Sequence, residues 1–355
     1  MINKVNNVFK LDTSIQFIPE GFKNPEWDES KDYKEALPCM EKGVLVYTCN
    51  MRDFLEKKGK KATFNNEVHY GILEYENSYI AVAYKPKKDS DITAAYAEKV
   101  AYDLYERLIA PHTGHHIVPP TIVREMPDGR LSSLHFFVET RDEEDMWNPD
   151  FRKTVFATAS KDAVQETSIY NAVFNDWDRH PGNYLATQRN GHFYLASIDN
   201  ESIENKGLLL KWGERSYIPV FFTGDIRAKP QKELKFPEDI TLVDFTSILS
   251  EHGFQKVPTI KNVFNNLIAR GDSNRSLVIG NGIASIAYHQ GNSAAFPLPQ
   301  EPYNPLLIKI YSDLDKATLD ECFHPLVQLD PDRFGKRTSE ILARRDMFLA
   351  ASENQ

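Results

Sequence analysis

The stretch from residue 183 to residue 199 constrains the fold more than any other part of this sequence. Two β-type runs, NYLATQ and HFYLASID, flank Arg189-Asn190-Gly191. Asn-Gly tolerates the positive φ angles of a tight two-residue turn, which makes it the strongest short-range signal for a β-hairpin. The segment therefore predicts a hairpin whose two ends carry the polar residues Asn183 and Asp199.

Upstream of this hairpin, β-type runs surround one amphipathic helix. The runs lie at 43–50, 68–75, 78–85, 121–125 and 131–139. Two pairs of them predict hairpins, because Glu76-Asn77 and Asp128-Gly129 are turn sequences that join consecutive runs. Between the pairs, at 91–110, small and aliphatic residues recur at steps of three and four, which predicts a helix that ends at Pro111.

The second half of the chain is predicted to be mainly helical. Helical periodicity occurs at 163–177, 242–254, 259–271 and 338–352. Four prolines between residues 291 and 306 predict a linker or a surface loop. The expected fold class is α+β and bilobal, with an irregular N-terminal arm at 1–40, a β-rich N-lobe at 41–140, and a mainly helical C-lobe with a C-terminal helical extension at 141–355.

Composition limits the class of protein. At 355 residues, with 41% apolar and 26% charged residues, the chain is long enough for two well-packed lobes of a globular protein. A formal net charge of −9 argues against nucleic-acid binding, which depends on Lys and Arg that neutralise phosphates. The three cysteines, Cys39, Cys49 and Cys322, form no CxxC pair and are expected to be free thiols in a reducing compartment.

The sequence predicts neither a membrane span nor a signal peptide. It has no run of about 18 apolar residues, the length that a transmembrane helix needs. The first residues also lack the apolar core of a signal peptide. We therefore expect a cytoplasmic protein or, if it leaves its cell by another route, a secreted effector that acts in a host cytosol.

A β-rich lobe followed by a helical lobe is the plan of a kinase, so the parts of phosphoryl transfer can be sought by their roles. A carboxylate must orient the attacking hydroxyl, and oxygen ligands must hold divalent ions on the phosphates. A lysine, itself held by a glutamate, must steady the α- and β-phosphates. Positioning and charge, rather than covalent chemistry, supply most of the catalysis.

The predicted hairpin and the loop before it carry residues of these types. Asn183 follows Asp178 by five positions, as in the kinase catalytic loop H-R-D-x-x-x-x-N, although the triplet here is Asp-Arg-His. Asp199 follows the second strand, where kinases keep a metal-binding aspartate. We assign Asp178 as the orienting base, and Asn183 and Asp199 as ligands of Mg²⁺ or Mn²⁺, ions that prefer oxygen donors. The other interpretation is that all three are turn and cap residues.

The pattern D-R-H-x-x-N, a hairpin and then I-D-N resembles the atypical kinases. These include the phosphatidylinositol 3- and 4-kinases, the HipA-type bacterial toxin kinases and the secretory-pathway casein kinases. The resemblance extends in lobe order over residues 40–205, and it implies a bilobal protein-kinase-like fold with ATP as the phosphate donor. It also implies that His180 braces the catalytic loop and that Arg179 is structural. Asn200-Glu201 replaces Phe-Gly after the metal-binding aspartate, so the flip of a protein-kinase activation loop is not expected.

The lysine and the glutamate of phosphoryl transfer have candidates upstream. Lys85 closes the apolar run YIAVAYK and corresponds to the lysine of the kinase motif V-A-I-K. Glu98, on the helix that follows, is its expected partner, and Glu106 is the alternative. The hinge that would hold adenine is expected at Phe137, Val138 and Glu139. A solvated strand-end lysine and ordinary buried strand residues are the competing structural interpretations.

No glycine-rich phosphate loop precedes Lys85. The polar loop at 56–67 stands at that point, and its lysines either contact phosphates, form a solvated cluster, or bind an inositol phosphate or a phosphoinositide headgroup. The expected function is an ATP-dependent kinase that uses Mg²⁺ or Mn²⁺ and acts on protein hydroxyls. The alternatives are a phosphoinositide or small-molecule kinase, a kinase-fold adenylyltransferase, and an inactive kinase fold that serves as a binding module.

Overall fold

A computed structural model gives the fold of the chain. It describes residues 18–60, 67–88, 92–140, 146, 148–174, 181–204, 221–222, 232–237, 239–251, 264, 276–280, 283–286 and 303–352. The predicted base Asp178, with Arg179 and His180, lies outside these residues. So do almost all of the helix predicted at 259–271 and most of the loop predicted at 291–306.

The first part of the chain forms a five-stranded antiparallel sheet. Its strands are β1 (Val44–Asn50), β2 (His69–Tyr75), β3 (Ser78–Pro86), β4 (Thr121–Glu125) and β5 (Leu131–Phe136). Their order across the sheet is β1-β2-β3-β5-β4, and each strand coincides with one of the predicted β runs.

The predicted hairpin at 183–199 is present as a separate two-stranded sheet. It joins β6 (Tyr184–Arg189) to β7 (His192–Ser197). Asn190 and Gly191 turn the chain with φ angles of 51° and 79°, the left-handed region that a type I′ turn requires. The two residues between β2 and β3 have the same left-handed geometry.

Helices occupy most of the other described residues. They are α1 (Leu37–Lys42), α2 (Met51–Lys57), α3 (Ile92–Leu108), α4 (Ala110–Thr113), α5 (Pro149–Thr158), α6 (Lys161–Phe174), α7 (Leu242–Glu251), α8 (Pro305–Asp313), α9 (Lys316–Leu329), α10 (Pro331–Phe334) and α11 (Arg337–Ser352). Four short strands, β8 (Phe221–Phe222), β9 (Lys232–Lys235), β10 (Ser276–Gly280) and β11 (Ile283–Ile286), form a further sheet. The α+β class predicted from the sequence is thereby confirmed.

Several helices differ from the sequence prediction. The segment up to residue 40, expected to be irregular, contains a 3-10 turn and the start of α1, and α2, α5 and α9 have no predicted counterpart. Pro111 does not end the long helix, because α3 already ends at Leu108 and Pro111 lies in the first turn of α4. Proline is tolerated there since the first turn of a helix needs no internal N–H donor. Pro305 likewise begins α8, whereas the sequence predicts a loop as far as residue 306.

The hydrophobic cores connect the sheet to the helices. The larger core packs α3 and α6 against α8, α9 and α11 and against the β6–β7 hairpin. A second core covers one face of the five-stranded sheet with α1 and with aromatic residues from the N-terminal arm. The other face of the sheet packs against α2. Because α3 also contacts β4 and β5, it joins the sheet to the helical part.

The N-terminal arm straps the five-stranded sheet to the β6–β7 hairpin. Asn24 donates to the carbonyl oxygen of Phe137 at 2.7 Å and accepts from the amide of Ala81 at 2.8 Å. Trp27 is buried and donates from Nε1 to the carbonyl oxygen of Leu195 at 2.8 Å. The described part of the arm, residues 18–40, is thus a fixed part of the fold, although within it the structure forms only short helical elements.

Glu29, on this arm, is a buried carboxyl group. Within the described part of the chain, its Oε2 atom has no hydrogen-bond partner. Burial raises the pKa of Glu29 to about 7, and its own backbone amide and His115 oppose that rise only partly. His115 is engaged elsewhere, with Nδ1 at 3.0 Å from both carboxylate oxygens of Glu166. The fold therefore favours the neutral form of Glu29.

We expect Glu29→Gln to change how stability depends on pH. The pKa of Glu29 rises from 4.5 to about 7 on folding, so the wild type should lose stability as the pH rises through this interval. An amide does not ionise, and the variant should be more stable than the wild type by roughly 2–3 kcal/mol at about pH 8. At about pH 5 the two proteins should be close. Urea unfolding at both pH values measures this, and a difference independent of pH would contradict the assignment.

Candidate functional site

Lys85 lies near the end of β3 and meets carboxylates from two other elements. Its Nζ atom is 2.7 Å from Glu98 Oε1 on α3. The same atom is 2.6 Å from Asp199 Oδ1, which directly follows the β6–β7 hairpin. The expected pairing of Lys85 with Glu98 is therefore present, and Asp199 joins it. Three residues that are distant in the sequence converge at this point.

Glu106, the alternative partner for Lys85, lies elsewhere. Eight residues beyond Glu98 on α3, it is displaced by about 12 Å along the helix axis. It contacts His116 Nδ1 at 2.8 Å and Lys34 Nζ at 3.4 Å. The separation along the helix axis thus places Glu98, and not Glu106, next to Lys85.

Asp199 stands where the β6–β7 hairpin ends. Its φ angle of 57° lies in the left-handed region, which aspartate adopts more readily than most non-glycine residues. The turn is fixed locally, because Asn200 Nδ2 donates to the carbonyl oxygen of Ser197 at 3.1 Å and Ser197 Oγ donates to Asn200 Oδ1 at 2.9 Å. This turn directs the Asp199 carboxylate towards Lys85.

Asn183 precedes the first strand of the same hairpin. Its backbone carbonyl accepts from the amide of Ile198 at 3.0 Å, so Asn183 lies across from the residue before Asp199. The Asn183 side chain is buried. The hairpin therefore brings the two predicted metal ligands to one end of the sheet, as their sequence positions imply.

A second ion pair, which the sequence analysis does not name, lies beside the first. Lys87 Nζ is 2.8 Å from Glu201 Oε2. Lys87 follows Lys85 by two positions, and Glu201 follows Asp199 by two positions. This repeated spacing was the only sequence signal, and it is weak because charged residues at such spacing are frequent on protein surfaces.

Glu98, Asp199 and Glu201 offer oxygen atoms that lie within 4.8 Å of one another. The Glu98 side chain has 0% exposure, with Oε1 on Lys85 and Oε2 against His135 Nε2. Asp199 and Glu201 are each 29% exposed. Glu98 is therefore an anchor for Lys85, and Asp199 and Glu201 are the carboxylates of this group that a divalent ion can reach.

The charges in this cluster stabilise one another. Burial acts to lower the pKa of Lys85, but the carboxylates of Asp199 and Glu98 outweigh it and hold that pKa above its usual range. Burial acts to raise the pKa of Glu98, but His135 and Lys85 hold it well below its usual range. Burial and the charge of Asp199 raise the pKa of Glu201. At neutral pH, Lys85 and Glu98 are both ionised.

The predicted hinge residues follow β5 and are engaged with other parts of the fold. The amide of Phe137 donates to the carbonyl oxygen of Ala81 at 3.0 Å, and its own carbonyl accepts from the N-terminal arm. The Val138 side chain lies in the core beneath the arm. The Glu139 carboxylate contacts the ammonium of Lys58. Their part in adenine binding stays a prediction.

Helix α2 follows β1 and precedes β2, at the position that a glycine-rich loop takes in protein kinases. Phe54 on α2 stacks on Tyr70 with ring centroids 4.0 Å apart and meets the edge of Phe137 at 5.7 Å. Lys58 pairs with the carboxylate of Glu139, and Lys60 contacts the carbonyl oxygen of Thr140. Two of the lysines proposed as an anion site are therefore tied to the segment after β5.

No family model, no curated protein and no solved structure matches this chain. Interpretation of the site therefore depends on its own residues and their geometry. Among the described helices, none is long and apolar enough to cross a membrane.

We expect Glu98→Ala to destabilise the protein strongly. The change removes the carboxylate that lies between Lys85 and His135. Loss of one partner from such a buried ion pair typically lowers the free energy of unfolding by about 3–5 kcal/mol. Asp103→Ala is the matched control, because Asp103 lies on the same helix but pairs with Lys99 in a part-exposed contact four residues away. It should cost only about 0.5 kcal/mol. Equal losses in urea unfolding would show that the buried cluster does not depend on Glu98.

Proposed function

We propose that this chain is an ATP-dependent phosphotransferase with a kinase-like bilobal fold. The observation that carries the proposal is the contact of Lys85 with both Glu98 and Asp199. In kinases, a lysine on the third strand pairs with a glutamate on the next helix, and a metal-binding aspartate follows a later hairpin. All three roles have a residue here, in the same chain order.

The donor atoms fit the ions that phosphoryl transfer uses. Asp199 and Glu201 supply part-exposed carboxylate oxygens, and Asn183 adds an amide at the same end of the hairpin. Oxygen donors of this kind suit Mg²⁺ or Mn²⁺ rather than softer ions that prefer sulfur or imidazole. When bound with ATP, such an ion would neutralise phosphate charge and fix the orientation of the triphosphate.

The ion pair with Glu98 would hold Lys85 in position to bind a phosphate. In the structure its ammonium is shared between Glu98 and Asp199. A nucleotide with its metal ion would engage the Asp199 carboxylate, and Lys85 would then exchange that carboxylate for a phosphate oxygen. Glu98 is fully buried and would keep its contact throughout. The lysine thus changes one anionic partner without leaving its position.

Asp178 is the proposed base, five positions before Asn183 in the sequence. Its role is to orient the attacking hydroxyl and accept its proton, and His180 would brace the same loop. We propose a protein hydroxyl as the acceptor. A phosphoinositide or a small-molecule hydroxyl needs the same machinery, and the mass gained by the acceptor separates phosphate transfer from adenylate transfer.

We expect Asp199→Ala and Asp178→Ala to fail at different steps. Wild type should melt at a higher temperature with ATP and Mn²⁺ or Mg²⁺ than with ATP alone, because a ligand that binds only the folded state stabilises it. Asp199→Ala should lose this metal-dependent shift and all transfer. Asp178→Ala should keep the shift and lose transfer from labelled ATP by a factor of about 10² or more.

Asp103→Ala serves as the control, since that carboxylate is far along the sequence from the hairpin and pairs with Lys99 on its own helix. It should match wild type in both assays. A wild-type protein that shows no shift with either metal would contradict the proposal. A shift without any transfer to lysate proteins or small molecules would favour a nucleotide-binding module instead.

A further inference from the structure

We propose that His135 is a positioning residue of this site, which fixes Glu98 so that Lys85 stays in place for a nucleotide phosphate. The inference rests on the proposed function. It assigns a role to a buried histidine that the kinase motifs discussed above do not contain.

His135 faces the same side of the sheet as Lys85. The register of β3 and β5 pairs His135 with Ala83, two residues before Lys85. Because residues two apart on a strand share one face, the ring of His135 points towards the side on which α3 packs. It is only 6% exposed, so its polar atoms must find partners within the protein.

The two ring nitrogens of His135 contact different partners. Nδ1 lies 3.0 Å from the hydroxyl oxygen of Thr121. Nε2 lies against Glu98 Oε2, while the other oxygen of that carboxylate takes Lys85. His135 thus lies between β4 and α3. It contacts Oε2 of Glu98, while Lys85 contacts Oε1.

The hydrogen bonds of Thr121 fix the orientation of the His135 ring. The Thr121 hydroxyl donates its single proton to the carbonyl oxygen of Pro119 at 2.8 Å. It can then only accept from His135, so Nδ1 carries a hydrogen. Nε2 faces the Glu98 carboxylate, which as an ionised group only accepts hydrogen bonds. The ring is therefore held in orientation by Thr121 and directed at Glu98.

His135 also completes the buried cluster. Three basic side chains, Lys85, Lys87 and His135, face three carboxylates, Glu98, Asp199 and Glu201. Without His135, the second oxygen of Glu98 would be buried with no basic group beside it, which favours a rotated carboxylate. Lys85 would lose its fixed anchor, although its contact with Asp199 would remain.

Two substitutions separate this role from simple packing. His135→Gln places an amide donor near the position of Nε2 and keeps the contact with Glu98. His135→Asn is shorter and places its donor near Nδ1, so it keeps the contact with Thr121 only. Both are neutral amides of similar polarity, so each is a control for the other.

We expect His135→Gln to bind ATP with Mn²⁺ within about threefold of wild type, whereas His135→Asn should weaken the Kd for ATP by about tenfold, the effect of one lost charged hydrogen bond. The KM for ATP should rise in parallel, with a smaller change in kcat, because the base and the acceptor site are untouched. The melting temperatures of both variants, measured without nucleotide, show how far each substitution destabilises the fold.

If His135 only fills space, the two variants should lose nucleotide affinity and melting temperature together, and that result would overturn the assignment. Equal, wild-type affinity in both would overturn it as well. In either case, binding of ATP by the wild type would still support the proposed function. If wild type itself binds no nucleotide, the proposed function and this role fall together.

Discussion

The fold depends on a largely buried ammonium group whose charge has to be neutralised. Lys85 lies near the end of a strand of the five-stranded sheet, and its charge is compensated where α3 and the end of the β6–β7 hairpin approach it. A buried charge without a partner is costly, so the sheet, the helix and the hairpin are held to one relative placement. Under the proposed function, the same cluster would face a metal-bound triphosphate.

The N-terminal arm supports the same placement from outside the cluster. Asn24 ties the arm to the sheet, and Trp27 ties it to β7. One consequence is that the segment after β5 is held on both sides, by the arm at Phe137 and by Lys58 of the α2 region at Glu139. The segment after β5 is therefore fixed by parts of the fold that have no counterpart in a simple strand–helix–hairpin motif.

Much of the local structure follows from the sequence pattern. Turn residues with left-handed backbone preferences and alternating apolar runs predicted the five strands and the β6–β7 hairpin, because these signals act over a few residues. Helices α2, α5 and α9 were not predicted, since their stability depends on packing against the sheet and the helical core rather than on a strong local period. The function and the site roles stay predictions, and Asp178 lies outside the described residues.

The sequence by itself determined which residue types stand at the strand end, in the long helix and after the hairpin: it selects Lys85 and Asp199, and it leaves Glu98 and Glu106 as alternatives on the helix. Only the tertiary structure decided that Glu98, and not Glu106, meets Lys85, and that His135, Lys87 and Glu201 complete the cluster. The reason is physical. Spacing along a strand or a helix fixes the direction of a side chain, but the partner of a buried charge is set by which elements pack together, and that depends on the whole core.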